Sequence, residues 1–237
     1  MATPSPAQPP PATAPRQPPD DSAPADHSRA RVNHVPPTLA VLAALGLYLI
    51  LPDQLAIGPR WLIPVLEASL VVLLNLVRAY RRRFEERDVR FLAIGVAALL
   101  NVANMVSVGL LVDSLLYGGL AKGRPLLYGA VSVWLTNIIV YALWFWQLDR
   151  GGPVARARGQ ERQPDFQFPQ MVGGQTTAVG WTPGFVDYLY VALTNAAAFS
   201  PTDTMPLTQA AKALMGAESL VSIVTVGIVI GRAVNIL

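Results

Sequence analysis

From Thr38 onward, apolar positions come in long runs separated by short polar connections, a pattern that predicts helices crossing a bilayer. The runs cover about residues 38–57, 61–79, 91–116, 126–148, 183–199 and 207–236. A crossing helix needs roughly 20 apolar residues, so 183–199 predicts a short, pore-helix-like fifth span. Ahead of them, residues 1–35 are dominated by Pro, Ala, Ser and Asp. Such a segment has almost nothing to bury and predicts a disordered Pro-rich tail. The expected fold is all-α: a polytopic membrane helix bundle of about six spans over residues 36–237, behind the tail at 1–35.

The connections carry the topological information. Between the second and third runs, "RAYRRRFEERDVR" places six arginines in one stretch, from Arg78 to Arg90. The polar connection from Asp149 to Thr182 adds Arg150, Arg156, Arg158 and Arg162, and the tail holds Arg16, Arg29 and Arg31. Arg and Lys concentrate in cytoplasmic loops. Six crossings with both termini cytoplasmic put all of these inside and leave Arg60, Lys122, Arg124 and Lys212 outside. Tyr141, Trp144 and Trp146, in "YALWFWQLDR", read as an interfacial aromatic belt.

Composition narrows the chemistry. The chain is 52% hydrophobic and 14% charged, against about 25% charged in a soluble domain. A net charge of +3 is spread over membrane-flanking loops, without the basic face interleaved with aromatics that nucleic acid requires. Cysteine is absent, and both histidines, His27 and His34, fall in the tail. Thiolate metal sites, Cys nucleophiles and His-dependent catalysis thus have no candidates in the membrane part. The reading is a non-enzyme with no cofactor and no metal, whose surroundings are the lipid bilayer.

Polar residues inside the runs are the remaining candidates. Glu67, Asn75, Asn101, Asn104, Asn137, Asn195 and Glu218 all lie in or near predicted spans. Ionisable side chains in lipid are costly and face the bundle interior. The asparagines read as helix-to-helix hydrogen bonds, with Asn101 and Asn104 on one face at i, i+3 spacing. Glu218, Ser222 and Thr225 form an i, i+4, i+7 stripe on the last helix, the geometry of one water-facing or partner-facing side. Glu218, with Glu67 as the second acidic candidate, is a proton or cation site if it is buried without a partner. Gly227 and Gly231 on the same helix form a G-x-x-x-G pair suited to close helix approach, hence to a homo-oligomer.

The segment "FVDYLYVALTNAAAFSPTDTMPLTQAAKALMGAESLVSIVTVGIVIGR" resembles the pore unit of bacterial two-helix potassium channels. Asp187 and Tyr190 fall at the start of the pore helix, Asp203 on the Asp that trails the filter, Pro206 on the following Pro. Glu218 and Arg232 match an acidic and a basic position of the inner helix. Where the filter would be stand Ala198, Phe199, Ser200, Pro201 and Thr202. Two glycines of that filter reach positive φ at little cost, whereas Pro201 fixes φ near about −65°, so the turn Ser200, Pro201, Thr202, Asp203 cannot present the carbonyl stack of a potassium pathway. With "DFQFP" (Asp165–Pro169) and the closing "RAVNIL", the same block is also similar to a family of small bacterial integral-membrane proteins of unknown function. That likeness is specific near the C-terminus and loose over the first four runs. That family implies a bacterial inner-membrane protein and no activity; the pore-unit resemblance, with the Glu218 stripe, implies a channel-like or channel-derived protein in which any ion passage takes a route other than a potassium filter. The alternative is a non-conducting membrane scaffold or regulator.

Overall fold

The structure, a computed structural model, describes residues 32–52, 55, 65, 68–69, 72, 86–117, 124–158, 163–172, 181–197 and 203–236. It is mostly helical. Helix α1 runs Val35–Ile50, α2 Glu86–Leu116, α3 Arg124–Leu148, α4 Pro153–Ala157, α5 Phe185–Ala196 and α6 Gln209–Ile236. Two short strands, β1 (Phe166–Gln167) and β2 (Met205–Pro206), pair antiparallel. Helices α2, α3 (with the turn after it) and α6 are long and apolar enough to cross a membrane, and α1 is a shorter apolar helix. The tail up to residue 31, the predicted second run apart from a few scattered positions, and the arginine loop before residue 86 lie outside the described residues.

Local sequence explains the helix starts. Pro36 and Pro37 occupy the first turn of α1, where a missing N–H costs nothing, and the Asn33 side chain accepts the Val35 N–H at 3.0 Å. At α5, Asp187 accepts the Gly184 N–H at 2.7 Å, placing a carboxylate at the positive end of the helix. Thr208 caps α6 by accepting the Ala211 N–H at 3.2 Å.

Helix α3 is the centre of the bundle and packs against α1, α2, α5 and α6. Of its apolar span 67% is buried, against 28% for α6. Its last turns carry Tyr141, Phe145 and Trp146, each at most 3% exposed. Of the three residues expected in an interfacial belt, Tyr141 and Trp146 are buried and Trp144 is half-buried. Trp146 meets His34 and Phe185 edge-on, both at 5.9 Å, and Phe145 lies tilted against Phe166 at 5.0 Å. On a central helix every face meets a neighbour, so an aromatic near its end packs inward.

These contacts also fix which helix ends lie together. The start of α1 (His34), the end of α3 (Trp146, Asp149) and the start of α5 (Phe185, Tyr188) meet at one end of the bundle. The start of α2 joins them, since a Cβ on Gly152 would stand 3.6 Å from Arg90 Nε. The opposite end gathers Leu55 and Pro52 against Gly129, and Ile228 of α6 clusters there with Tyr48, Leu51, Leu111 and Leu126. We call these the Asp149 end and the Gly129 end.

Helix α5 departs from expectation. It has 12 residues, about 18 Å at 1.5 Å per residue, too short for a hydrocarbon core of roughly 30 Å. It starts at the Asp149 end, and the chain then returns to that same end. There Pro206 pairs with Phe166 and Met205 with Gln167, and the Leu207 N–H donates to the Asp165 carbonyl at 2.8 Å. Both the start of α5 and the chain that follows it after residue 203 thus lie at the Asp149 end. Consequently α6 begins at the Asp149 end and finishes at the Gly129 end, opposite the start of α1.

Candidate functional site

Ten residues into α5 and nine into α6, two polar side chains meet in the middle of the bundle. Asn195 donates from Nδ2 to Glu218 Oε2 at 2.7 Å and to the Met215 carbonyl at 2.9 Å. Its Oδ1 accepts from Ser219 Oγ at 3.2 Å. Both amide hydrogens and the amide oxygen are thus used, and the end of α5 is pinned to α6. Glu218 is fully buried. Among the described residues no hydrogen-bond donor reaches its Oε1.

Helix α3 closes the site from a third direction. Asn137, 0% exposed, donates from Nδ2 to Ser222 Oγ at 3.1 Å and to the Glu218 carbonyl at 3.3 Å. Its Oδ1 accepts from Asn104 of α2 at 3.5 Å, the outer edge of a hydrogen bond. Tyr141, one turn after Asn137 on α3, is within hydrogen-bonding reach of Asn101 and faces Glu218. From Asn104 the polar lining continues into a pocket of about 10 Å³ between α1, α2 and α3. Ser107, Ser132 and Thr136 line it, with Tyr48, Leu51 and Val133 among the apolar walls. Ser107 is buried, and its hydroxyl has no hydrogen-bond partner among the described residues.

The expected stripe on the last helix is therefore real and faces inward: Glu218, Ser222 and Thr225 are all at most 1% exposed. Thr225 does not join the network, because its hydroxyl donates to its own helix, to the Val221 and Ser222 carbonyls at 2.9 and 3.0 Å. Of the asparagines expected to bond between helices, Asn104, Asn137 and Asn195 do so, and Asn195 and Asn137 complete the Glu218 site; Asn75 lies outside the described residues. Gly227 and Gly231 lie on the exposed face of α6. Glu67 and the turn residues Ser200, Pro201 and Thr202 lie outside the described residues, whereas Asp203 is exposed at the Asp149 end, just before β2.

At that end a second polar cluster holds the returning chain. Asp149, fully buried, accepts the N–H groups of Asp165 at 2.8 Å and Phe166 at 3.3 Å on Oδ1, and the Tyr188 hydroxyl at 2.5 Å on Oδ2. Asp165 in turn accepts the Thr208 hydroxyl at 2.7 Å and the Arg150 N–H at 3.1 Å. Arg156 donates to the carbonyls of Asp149 at 2.6 Å and Trp146 at 3.0 Å, and its guanidinium lies over the Tyr188 ring. Burial lowers the Arg156 pKa from its ordinary value, while the Tyr188 ring and Asp149 oppose the shift. The cluster joins the end of α3 to the starts of α5 and α6. The sequence marks 149–182 as a polar connection, and the one signal within it is the polar–apolar alternation of "DFQFP".

Among the described residues no three His, Cys, Asp or Glu side chains converge as a metal site would require. No family model, curated protein or solved structure matches the chain.

Proposed function

We propose that the chain is an integral membrane protein that moves a small positive charge across the bilayer, with Glu218 as the residue that holds it. The observation that carries this reading is the buried Glu218 carboxyl: among the described residues one oxygen is bonded by Asn195 alone, and the other meets no donor. Two effects oppose a bare carboxylate there. Desolvation of an unpaired charge costs several kcal/mol. The end of α5, pinned beside it through Asn195, also carries the negative pole of the helix dipole. No described Arg or Lys bonds Glu218, which favours balancing of the charge by a species from solution.

The arrangement is channel-like in one further respect. A half-helix entering and returning at one face, followed directly by a long helix, is the order that the pore-unit resemblance implies. Irregular backbone at membrane depth is tolerated where protein buries it or where it lines a cavity. Arg90, Arg150, Arg156, Arg158 and now Lys212 belong to the Asp149 end, which supports that end as cytoplasmic. Only Arg60, Lys122, Arg124 and Arg232 remain for the other face. The crossings are then α1, the run at 61–79, α2, α3 and α6. The N-terminal tail lies inside and α6 runs outward.

Purified protein reconstituted in liposomes, assayed with dyes for protons, sodium and potassium, tests the reading. Flux above empty liposomes, lost in Glu218→Gln, is the expected result. Absence of flux for all three ions would reduce the seam to helix packing and favour the scaffold alternative.

A further inference from the structure

Taking the ion-moving role of Glu218 as given, the chemistry around it selects the ion. The side-chain atoms turned toward Glu218 are donors: Nδ2 of Asn195 on the carboxyl and Nδ2 of Asn137 on the backbone carbonyl. A metal cation stripped of water needs a shell of oxygen acceptors, six or so for the common hard ions. Two converging amide NH₂ groups work against such a shell. The approach is narrow as well: a pocket of about 10 Å³ is close to the room one water occupies.

The approach is also more polar on one side than on the other. Toward the Asp149 end, Glu218 is separated from solvent by Tyr141, Met215, Val191 and Ala192, and then by the aromatic layer of Phe145, Phe166 and Tyr188, all buried. Toward the Gly129 end lie Asn137, Asn104 and then the hydroxyls of Ser107, Ser132 and Thr136, and beyond them one apolar layer that includes Leu51, Leu55, Leu111 and Leu126. The Asn104–Asn137 bond at 3.5 Å is the weakest in the seam, and the buried Ser107 hydroxyl lacks a protein partner among the described residues. A water in the pocket supplies what both groups lack.

We propose that the species held by Glu218 is a proton, and that it reaches the carboxyl from the Gly129 end by way of water held among Asn104, Ser107, Ser132 and Thr136. The step is a proton transfer from water to Glu218 and back, with no other bond changed. The titratable group facing Glu218 from the packed helices, among the described residues, is Tyr141 of α3.

The test uses the full chain in liposomes carrying an internal pH dye, driven by a potassium diffusion potential. Proton flux is expected in the wild type, falling to the level of empty liposomes in Glu218→Gln and strongly reduced in Asn104→Leu, which plugs the seam while sparing the carboxyl. Sodium or potassium flux that depends on Glu218, without proton flux, overturns the proton assignment and leaves the proposed function standing. Absence of every flux overturns both. Direction is read separately with Ser107→Cys, a single thiol in a chain that has no cysteine. Silver ion, small enough to follow water, should block proton flux when applied at the Gly129 face in oriented membrane vesicles. Block from the Asp149 face alone would overturn the entry route. If Glu218→Gln fails to fold, Asn104→Leu and silver block of Ser107→Cys still decide the matter.

Discussion

Tyr188→Phe tests the cluster that holds the start of α5 against the end of α3. The substitution removes one oxygen and keeps the ring, so the edge-on contacts of this side chain with Phe168 at 5.4 Å and Phe166 at 6.2 Å survive. What is lost is a hydroxyl donated to a fully buried carboxylate at 2.5 Å. Hydrogen bonds to charged groups contribute about 1.5–3 kcal/mol each. Asp149 keeps two backbone N–H donors on its other oxygen and Arg150 Nε at 3.8 Å, so the loss stays near that range. For a domain of this size it corresponds to a fall in Tm of about 3–12 °C, at roughly 2–4 °C per kcal/mol. Asp149→Asn should cost more, because an amide turns a donor toward either the Tyr188 hydroxyl or the two backbone N–H groups. The assay is thermal unfolding of the detergent-purified protein, followed by circular dichroism, for both single variants and the double variant. Coupling of about 1 kcal/mol or more between the two sites is expected. Unchanged Tm in Tyr188→Phe, or strict additivity in the double variant, would refute the claim that this bond holds α5 to α3.

Two further outcomes follow from the same geometry. Single cysteines at Arg82 and Asp203 should react with an impermeant maleimide from the same face, the cytoplasmic one, and a cysteine at Lys122 from the opposite face; labelling of Arg82→Cys and Asp203→Cys from opposite faces would restore α5 as a crossing. Gly152→Ala should lower thermal stability by about 1–3 kcal/mol, because φ is +101° there and the added Cβ would stand 3.2 Å from the Gln147 carbonyl. Wild-type melting in that variant would show that the turn after α3 is not constrained.

The long apolar runs were legible because a membrane span is specified by composition over many consecutive residues, and α2, α3 and α6 fall where those runs lie. The inward stripe of Glu218 and Ser222 was legible for a similar reason: helical spacing alone puts them on one face. The path of the chain around α5 was not. It is decided by two-residue strands 39 positions apart, Phe166 against Pro206 and Gln167 against Met205, and by Asp165 meeting Thr208. Pairings this short leave no periodic trace, so a run of apolar residues such as 185–197 reads as a crossing whether or not the chain returns. The arginine count was then fitted to an even number of spans and placed Lys212 outside. The convergence of Asn137 and Asn195 on Glu218 was hidden for the same reason, since it depends on which helices become neighbours.

Both ends of α5 are fastened, and by different chemistry. At its start, Tyr188 binds a buried carboxylate that three donors satisfy. At its finish, Asn195 binds a buried carboxyl that, among the described residues, it alone satisfies, and on one oxygen only. Asp149 has what a structural ion needs: several donors and a neighbouring guanidinium at 3.8 Å. Were Glu218 there only to join helices, the same surroundings would be expected, because a half-satisfied buried carboxyl is less stable than an apolar side chain of similar volume. A glutamine could accept from Asn195 equally well without bringing an ionisable group into the bundle. The contrast between two buried acids in one protein, one saturated with donors and one left open beside a polar seam, is what separates a fastening from a site. It is also why Glu218→Gln, near-neutral for packing, is the substitution on which the functional reading depends.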